Sequence, residues 1–199
     1  MKKNVLAALM FVFLLGSTFK VNAQEVFGKG DNVISVGVGI GSHLSGSGFK
    51  NTIPPLSISW EHGVVDGLFG GNGAIGVGAF IGYSASKYEG KYWSNYSYEY
   101  KYTYLIIGAK GNLHYGFSSK WDGYAGVSLG YDIINATYSD NLKDNSFGNS
   151  FSKAVAAESS EVFFAFNVGT RYQFSDQWGA FAELGYGLAI LQLGVSYKF

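Results

Sequence analysis

The sequence predicts an all-β fold, an eight-stranded antiparallel transmembrane β-barrel with up-and-down meander topology. Eight segments alternate apolar residues with small or polar ones at a period of two, which is typical of strands with one apolar face. Glycine makes up 29 of the 199 residues and stands inside nearly every one of these segments, where it would weaken a helix. Charged residues are only 14% of the chain and aromatic residues 18%, whereas soluble domains carry about 25% charged residues.

The N-terminal segment has the pattern of a secretory signal peptide. Lys2 and Lys3 precede an unbroken apolar run from Val5 to Leu15, and Val21-Asn22-Ala23 supplies a small-residue cleavage site. Eleven apolar residues are too few to span a bilayer as a helix. We therefore expect residues 1–23 to be a signal peptide and residues 24–199 to form the barrel.

The eight predicted strands follow one another along the chain, separated by links of unequal length. In chain order they cover residues 34–40, 56–61, 75–84, 105–115, 121–133, 162–173, 178–186 and 189–199. Strand one sets Ile34, Val36, Val38 and Ile40 against serine and glycine. The other seven repeat that contrast, and their apolar faces begin at Leu56, Ile75, Leu105, Trp121, Val162, Trp178 and Ala189.

The polar face of the strands distinguishes a membrane barrel from a soluble sandwich. A sandwich would cover its solvent face with lysine, glutamate and threonine, whereas a narrow barrel lumen holds small residues and a few paired charges. We predict that isolated charges of both signs form a lumenal network in which Arg171 and Glu183 pair together with Lys110 and Glu61. The complete predicted network is Glu61, Lys110, Asp122, Arg171, Glu183 and Lys198. A structural role for these charges is favoured over ion conduction, because the lumen of eight strands is just wide enough for side chains to fill.

The lengths of the links predict how the barrel is oriented. The links near residues 118–120 and 175–177 are tight, whereas those over residues 42–55, 85–101 and 135–159 are long. Outer-membrane barrels have short periplasmic turns and longer external loops, and an even strand number leaves both termini on one side. We expect both termini to be periplasmic.

The second long link is rich in tyrosine. Tyr88, Tyr92, Trp93, Tyr96, Tyr98 and Tyr100 fall within it. From Tyr96 onward the tyrosines keep a period of two, which predicts that strand four extends beyond the membrane with this face on the lumen side, unless a bulge near Tyr104 shifts the register. Two interpretations stay open: an aromatic girdle with a stiff hairpin, or a contact surface for a partner.

The C-terminus resembles the outer-membrane assembly signal. Gln192, Gly194, Tyr197 and the terminal Phe199 match its polar, glycine, apolar and aromatic positions. The resemblance implies recognition of the last strand by the barrel-assembly machinery. The whole mature chain resembles a small OmpA/OmpX-type eight-stranded barrel, and Ala182 to Phe199 is similar to the outer-membrane β-barrel domain common in Bacteroidota.

Composition excludes several classes of function. The chain has no cysteine, which excludes a disulfide scaffold, a thiolate metal site and a thiol nucleophile. A net charge of zero gives no basic patch for nucleic acid. His43, His62 and His114 lack metal-ligand spacing, and Gly71 to Gly76 matches a dinucleotide fingerprint but opens a strand rather than a helix. We expect neither a cofactor nor a metal.

These observations favour a non-enzymatic barrel with a structural or surface-interaction role. Outer-membrane lipid and the assembly machinery are the expected partners, with a protein partner through the outer loops. Three alternatives remain: an accessory subunit of a larger outer-membrane complex, a lipid A-modifying enzyme, and a narrow transporter of small hydrophobic compounds. His114 is the histidine that an enzyme could use, but no serine lies two residues away.

Overall fold

The computed structural model describes residues 26–42, 48–92, 96–140 and 158–199. The predicted signal peptide lies outside these residues. The strands are β1 (Asn32–Ile40), β2 (Lys50–Leu68), β3 (Gly73–Tyr92), β4 (Tyr96–Gly116), β5 (Trp121–Asp140), β6 (Glu158–Gln173), β7 (Trp178–Tyr186) and β8 (Leu191–Lys198). Each strand pairs with the next in the chain, and β8 pairs antiparallel with β1 to close the ring. The predicted eight-stranded antiparallel meander is confirmed.

No helix in the described ranges is long and apolar enough to span a membrane.

The apolar face of each strand points outward. On β6, Val162 is 71% exposed, and Leu129 on β5 is 61% exposed. Side chains of the same kind surround the whole barrel, among them Ile34, Val36, Ile58, Val77, Ile107, Val168, Leu184 and Val195. Such a continuous apolar belt would be very costly in water, whereas the hydrocarbon of a bilayer accommodates it. This is the arrangement of a transmembrane barrel.

The barrel is much taller on one side than on the other. Strands β3, β4 and β5 have 20, 21 and 20 residues, whereas β1, β7 and β8 have 9, 9 and 8. The extra residues add about 35 Å along each strand at 3.3 Å per residue. They all extend from one end of the barrel, which we call the far end. The other end holds residues 26–31 and Phe199, and we call it the terminal end.

The outward face of the tall strands changes from apolar to polar. On β3 it runs from Ile81 and Tyr83 to Lys87 and Glu89; on β4 it runs from Leu105 to Lys101 and Glu99. On β5, Asn135, Thr137 and Ser139 follow Ile133. The apolar belt therefore ends near Tyr83, and the remainder of the tall strands stands in water.

All three predicted long links are wrong in part. Residues 50–55 belong to β2, residues 85–92 and 96–101 belong to β3 and β4, and residues 135–140 and 158–159 belong to β5 and β6. The β3–β4 ladder continues without interruption from Gly73↔Tyr115 to Tyr92↔Tyr96. Cross-strand pairing holds these segments as strands, although neither face carries the apolar residues by which the membrane strands are recognised.

The lumen is filled by two groups of side chains among the described residues. Toward the far end, Phe80, Ile106 and Phe163 pack with Leu188, which the β7–β8 turn inserts into the barrel. At the terminal end, charged side chains occupy the lumen, as described next. A cavity of about 70 Å³ separates the two groups.

Candidate functional sites

Four charged side chains meet inside the terminal end of the barrel. His114 Nδ1 lies 2.8 Å from Asp122 Oδ2, and His114 Nε2 lies 2.9 Å from Glu61 Oε1. Arg171 Nη2 lies 3.5 Å from Glu61 Oε2, and Arg171 Nη1 lies 3.7 Å from Asp122 Oδ2. All four residues are buried. We call these residues the lumenal cluster.

The strand register explains why these residues meet. Glu61 lies on β2, His114 on β4, Asp122 on β5 and Arg171 on β6, each on the inward face. Asp122 stands directly opposite Arg171 in the β5–β6 ladder. On β3, which separates Glu61 from β4, Gly76 leaves space that a Cβ atom would take from the Glu61 carboxylate.

The hydrogen bonds define the charge of the imidazole. A carboxylate can only accept hydrogen bonds, so both nitrogens of His114 donate when both partners are ionised. The ring then carries one positive charge. With Arg171 it balances the two carboxylates of Glu61 and Asp122, which is the condition under which buried charges are tolerated.

A second ion pair lies deeper in the lumen. Lys110 Nζ is 3.8 Å from Glu183 Oε1, and the Tyr124 hydroxyl donates to the same oxygen at 2.9 Å. The Arg171 guanidinium lies 5.4 Å from the centre of the Tyr124 ring. Asn112 Nδ2 donates to Glu61 Oε1 at 2.7 Å. The two groups of charges are thus connected through Tyr124 rather than by a direct pair between Arg171 and Glu183.

Lys198 does not belong to this network, contrary to the sequence prediction. Its amine lies 3.5 Å from Asp31 Oδ2 and donates to the Val26 carbonyl at 3.1 Å. It is the last residue of β8, so its side chain reaches the rim of the terminal end and pairs with the N-terminal segment.

His114 was not predicted as a member of the network, and it lies at its centre. The signal that could have found it is its position on the same face of β4 as Lys110 and Asn112. The face is visible in the sequence, but the residues that approach it from β2 and β5 are not.

The N-terminal segment covers the lumenal cluster. Phe27 is buried, its ring centre lies 4.3 Å from that of His114, and the Arg171 guanidinium is 6.0 Å from its centre. Val26, next to it, is also buried. The cluster is therefore closed toward the terminal end by an aromatic ring.

The chemistry of the lumenal cluster is that of a charge-balanced ion-pair network. Asp122 and His114 have the geometry of an acid–base pair, but the second imidazole nitrogen faces Glu61, at the place where a hydrolase has its hydroxyl nucleophile. Among the described residues, no group of three or more histidine, aspartate or glutamate side chains could hold a metal ion.

The tyrosines of the tall strands form a continuous aromatic surface. Tyr100 lies 5.0 Å from Tyr138 and 5.7 Å from Tyr98, and Tyr98 lies 6.4 Å from Tyr88 between ring centres. Phe49 adds contacts of 5.5 Å to Tyr88 and to Tyr102. We call Phe49, Tyr88, Tyr98, Tyr100, Tyr102 and Tyr138 the tyrosine wall.

The tyrosine wall continues the inward face of the barrel beyond the membrane. Neither the β3–β4 ladder nor the β4–β5 ladder shifts register near Tyr104, so no bulge turns this face outward. Tyr92 and Tyr96 pair through their backbones, but their side chains lie outside the described part of the structure. Trp93 lies outside it entirely.

The opposite face of the hairpin is charged. Lys87 Nζ lies 2.5 Å from Glu89 Oε1 and 3.3 Å from Glu99 Oε2. The hydrogen bond from Lys87 to Glu89, followed by the one to Glu99, raises the pKa of the Lys87 amine. The hairpin therefore presents an aromatic surface toward the barrel axis and an ionic surface away from it.

The predicted assembly signal occupies β8 and the terminal residue. The side chain of Gln192 donates to Ser57 Oγ inside the barrel, and Gly194 leaves room for the Phe181 ring. Tyr197 packs 5.0 Å from Trp178 and 6.1 Å from Phe199 between ring centres. The apolar and aromatic positions of the motif lie on the outward side, and the polar and glycine positions lie on the lumen side.

Comparison with known proteins gives similarity to solved barrels. No family model matches the sequence, and no curated protein matches it. The N-terminal β-barrel domain of Pseudomonas aeruginosa OprF is 15% identical, with 87% of this chain and 100% of that chain covered at a TM-score of 0.48. Ail, the attachment invasion locus protein of Yersinia pestis, is 14% identical, with 86% and 99% covered at a TM-score of 0.43. A de novo designed transmembrane β-barrel is 13% identical, with 87% and 98% covered at a TM-score of 0.40. All three scores lie below 0.5, so the assignment of the barrel rests on the strand pairing described above.

Proposed function

We propose that the protein is an outer-membrane barrel that presents the tyrosine wall to a partner at the cell surface. The observation that carries this proposal is the height of β3, β4 and β5, which continue beyond the apolar belt with tyrosine on one face and charged or polar side chains on the other. Tyrosine offers large amphipathic contact area at a low cost in side-chain entropy. A barrel that served only to occupy the membrane would not need such an extension.

The proposed location and orientation follow from the ends of the chain. The C-terminal motif from Gln192 to Phe199 resembles the signal read by the barrel-assembly machinery, which makes that machinery a partner during biogenesis. Outer-membrane lipid would contact the apolar belt. Residues 26–31 and Phe199 lie at the terminal end, where the links are short, and the far end carries the long hairpin. We place the terminal end in the periplasm, as in other barrels.

Conduction and catalysis fit the lumen less well. An apolar cluster obstructs the lumen toward the far end; it consists of Phe80, Ile106, Phe163 and Leu188. Phe27 covers the lumenal cluster at the terminal end. The acid–base pair of Asp122 and His114 lacks a nucleophile beside it. We therefore propose that the barrel neither transports small hydrophobic compounds nor modifies lipid A.

The proposed function can be tested by site-specific photo-crosslinking in living cells. A photoreactive phenylalanine analogue replaces Tyr100 on the tyrosine wall, and in a matched control it replaces Lys101 on the opposite face of the same strand. We expect a discrete adduct from position 100 and none from position 101. An adduct with another barrel would identify the protein as a subunit of an outer-membrane complex. The absence of any adduct at position 100 would contradict the proposal.

A further inference from the structure

A crevice opens at the step between the tall and short sides of the barrel. Strand β7 ends at Tyr186, opposite Phe166, whereas β6 continues toward the far end to Glu158. Above this step lies a crevice of about 430 Å³. Its lining includes Tyr104, Asp132, Glu161, Phe163, Tyr186 and Gly187.

Two carboxylates face each other across this crevice. Asp132 on β5 and Glu161 on β6 are directly opposite in the ladder and lie on the inward side of their strands. Asp132 is only 5% exposed, and its Oδ1 atom has no hydrogen-bond partner. Two like charges directly opposite each other destabilise a sheet, and a buried carboxylate without a partner costs several kcal/mol.

The pair differs in this respect from the other carboxylates that the described residues place in the lumen. Glu61, Asp122 and Glu183 each have a lysine, arginine or histidine nitrogen within 4.0 Å. In the described ranges no such nitrogen approaches Asp132 or Glu161 that closely. The crevice therefore has the geometry of an anionic site that would bind a cation.

The remaining walls of the crevice indicate what kind of cation fits. Ile134, Val162, Phe163 and Phe164 contribute apolar and aromatic surface. A calcium ion needs six to eight oxygen ligands, and two carboxylates with one tyrosine hydroxyl do not provide them. The volume is in the range of pockets that bind small organic molecules, and a buried Oδ1 without a partner requires a hydrogen-bond donor.

We propose that this crevice binds a small organic cation with a primary ammonium group on an apolar or aromatic body. The ammonium group donates hydrogen bonds to the carboxylates of Asp132 and Glu161, and the Tyr104 and Phe163 rings contact its body. Val162 and Phe164 are exposed on the outward face, so the crevice is open at the rim of the apolar belt, where amphiphilic amines accumulate. The site is separate from the tyrosine wall.

The proposal can be tested with 2-phenylethylamine as the probe and 2-phenylethanol as its neutral counterpart. The refolded, isotope-labelled barrel in detergent micelles is titrated with each compound while the amide NMR signals of Phe163 and Gly187 are followed. We expect saturable shifts with the amine and only weak, linear shifts with the alcohol. Equal shifts with both compounds would overturn the proposal, because they would indicate partitioning into the micelle.

Three variants make the test specific. Asp132→Asn and Glu161→Gln should each weaken binding of the amine by about tenfold or more, since each removes one charge-assisted hydrogen bond. Asp66→Asn removes a carboxylate at the terminal end and should leave the affinity unchanged. Glu161 is exposed, so its variant keeps the test valid if Asp132→Asn fails to fold.

A metal ion provides the competing explanation. If Ca²⁺ shifts the same signals at lower concentration than the amine and displaces it, the crevice is a metal site and the proposal is wrong. Unchanged amine binding in both Asp132→Asn and Glu161→Gln would also overturn it. Neither result bears on the crosslinking experiment, so failure of this site and failure of the proposed function can be told apart.

Discussion

At the scale of single residues, the lumenal cluster depends on His114. Its two ring nitrogens bridge Glu61 and Asp122, which lie 61 residues apart in the chain on strands that do not touch. Arg171 reaches both carboxylates at the longer distances of 3.5 and 3.7 Å. The imidazole is therefore the closest neutralising group for each acid.

Replacing His114 with phenylalanine should strongly destabilise the barrel. The variant keeps the ring volume but leaves Glu61 and Asp122 with Arg171 as the one charged partner in the cluster, and breaking a buried pair in this way costs about 3–5 kcal/mol. Urea unfolding of the protein in lipid vesicles, followed by tryptophan fluorescence, measures the change in the free energy of unfolding.

His62→Phe is the matched control. His62 is only partly buried and bonds through Nδ1 to Asn32 at 3.1 Å, so we expect a loss of at most about 1 kcal/mol. Equal losses in the two variants would show that the bridge between the carboxylates does not matter.

The pair of Lys110 and Glu183 leads to a second prediction. Glu183→Gln should lower the free energy of unfolding by about 1–3 kcal/mol, because the Lys110 ammonium remains in the lumen without its counter-ion. The Tyr124 hydroxyl can still donate to the glutamine oxygen. Adding Lys110→Met should recover most of the loss, and the same unfolding assay measures both variants. If Glu183→Gln alone is neutral, the lumenal pairing is absent.

Which residues face the lumen could be predicted from the sequence, but their partners could not. The period of two places Glu61, Lys110 and Glu183 on inward faces without any structure. Partner choice depends on strand stagger and on space left by glycine, as at Gly76, and neither is visible in a single strand. The assignment of Lys198 to the lumenal network is wrong because Lys198 is the last residue of β8, so its amine lies at the rim of the terminal end.

At the scale of the element, the β3–β4 hairpin beyond Tyr83 and Leu105 has the surface of a strand pair in water, whereas the rest of β3 and β4 lies in the apolar belt. The sequence predicts its extension through the tyrosine period that ends at Tyr104. It does not predict that residues 85–92 pair with residues 96–103, because serine, lysine and glutamate on the outward face resemble a loop. The stabilising contacts are cross-strand tyrosine contacts and the Lys87 ion pairs, which become visible once the register is known.

Disrupting the tyrosine wall should loosen the hairpin and spare the barrel. Tyr100→Ser combined with Tyr138→Ser removes a ring pair with centres 5.0 Å apart, and aromatic pairs contribute about 0.5–1.5 kcal/mol beyond the area they bury. We expect faster amide hydrogen exchange in residues 96–103 of β4, with unchanged protection of residues 105–115. Faster exchange throughout β4 would contradict this separation of the hairpin from the barrel.

At the scale of the whole molecule, the number of strands could be predicted from the sequence, but their heights could not. Eight alternating segments with an outward apolar face indicate eight membrane strands, and the ring of strand pairs agrees with them. The unequal heights of the strands are not predictable, because the chain between membrane strands carries no apolar period to mark where a strand ends. We propose the orientation in the membrane from the lengths of the links, and it leads to a prediction of its own.

Labelling of single cysteines provides that measurement, because the chain contains no cysteine of its own. Lys101→Cys on the exposed face of the hairpin should react with a membrane-impermeant maleimide in intact cells. Asp176→Cys in the β6–β7 link should react only after the outer membrane is permeabilised. The reverse pattern would place the termini at the cell surface.

Because the strands differ in height, the far end of the barrel has a tall side and a low side. The aromatic rings on the tall strands face across the mouth of the barrel, toward the side where β1, β7 and β8 end. Any partner held there stands above the mouth rather than beside the barrel. Neighbouring molecules in the bilayer plane then meet only the lipid-facing belt, so the complex occupies no more membrane area than the barrel alone.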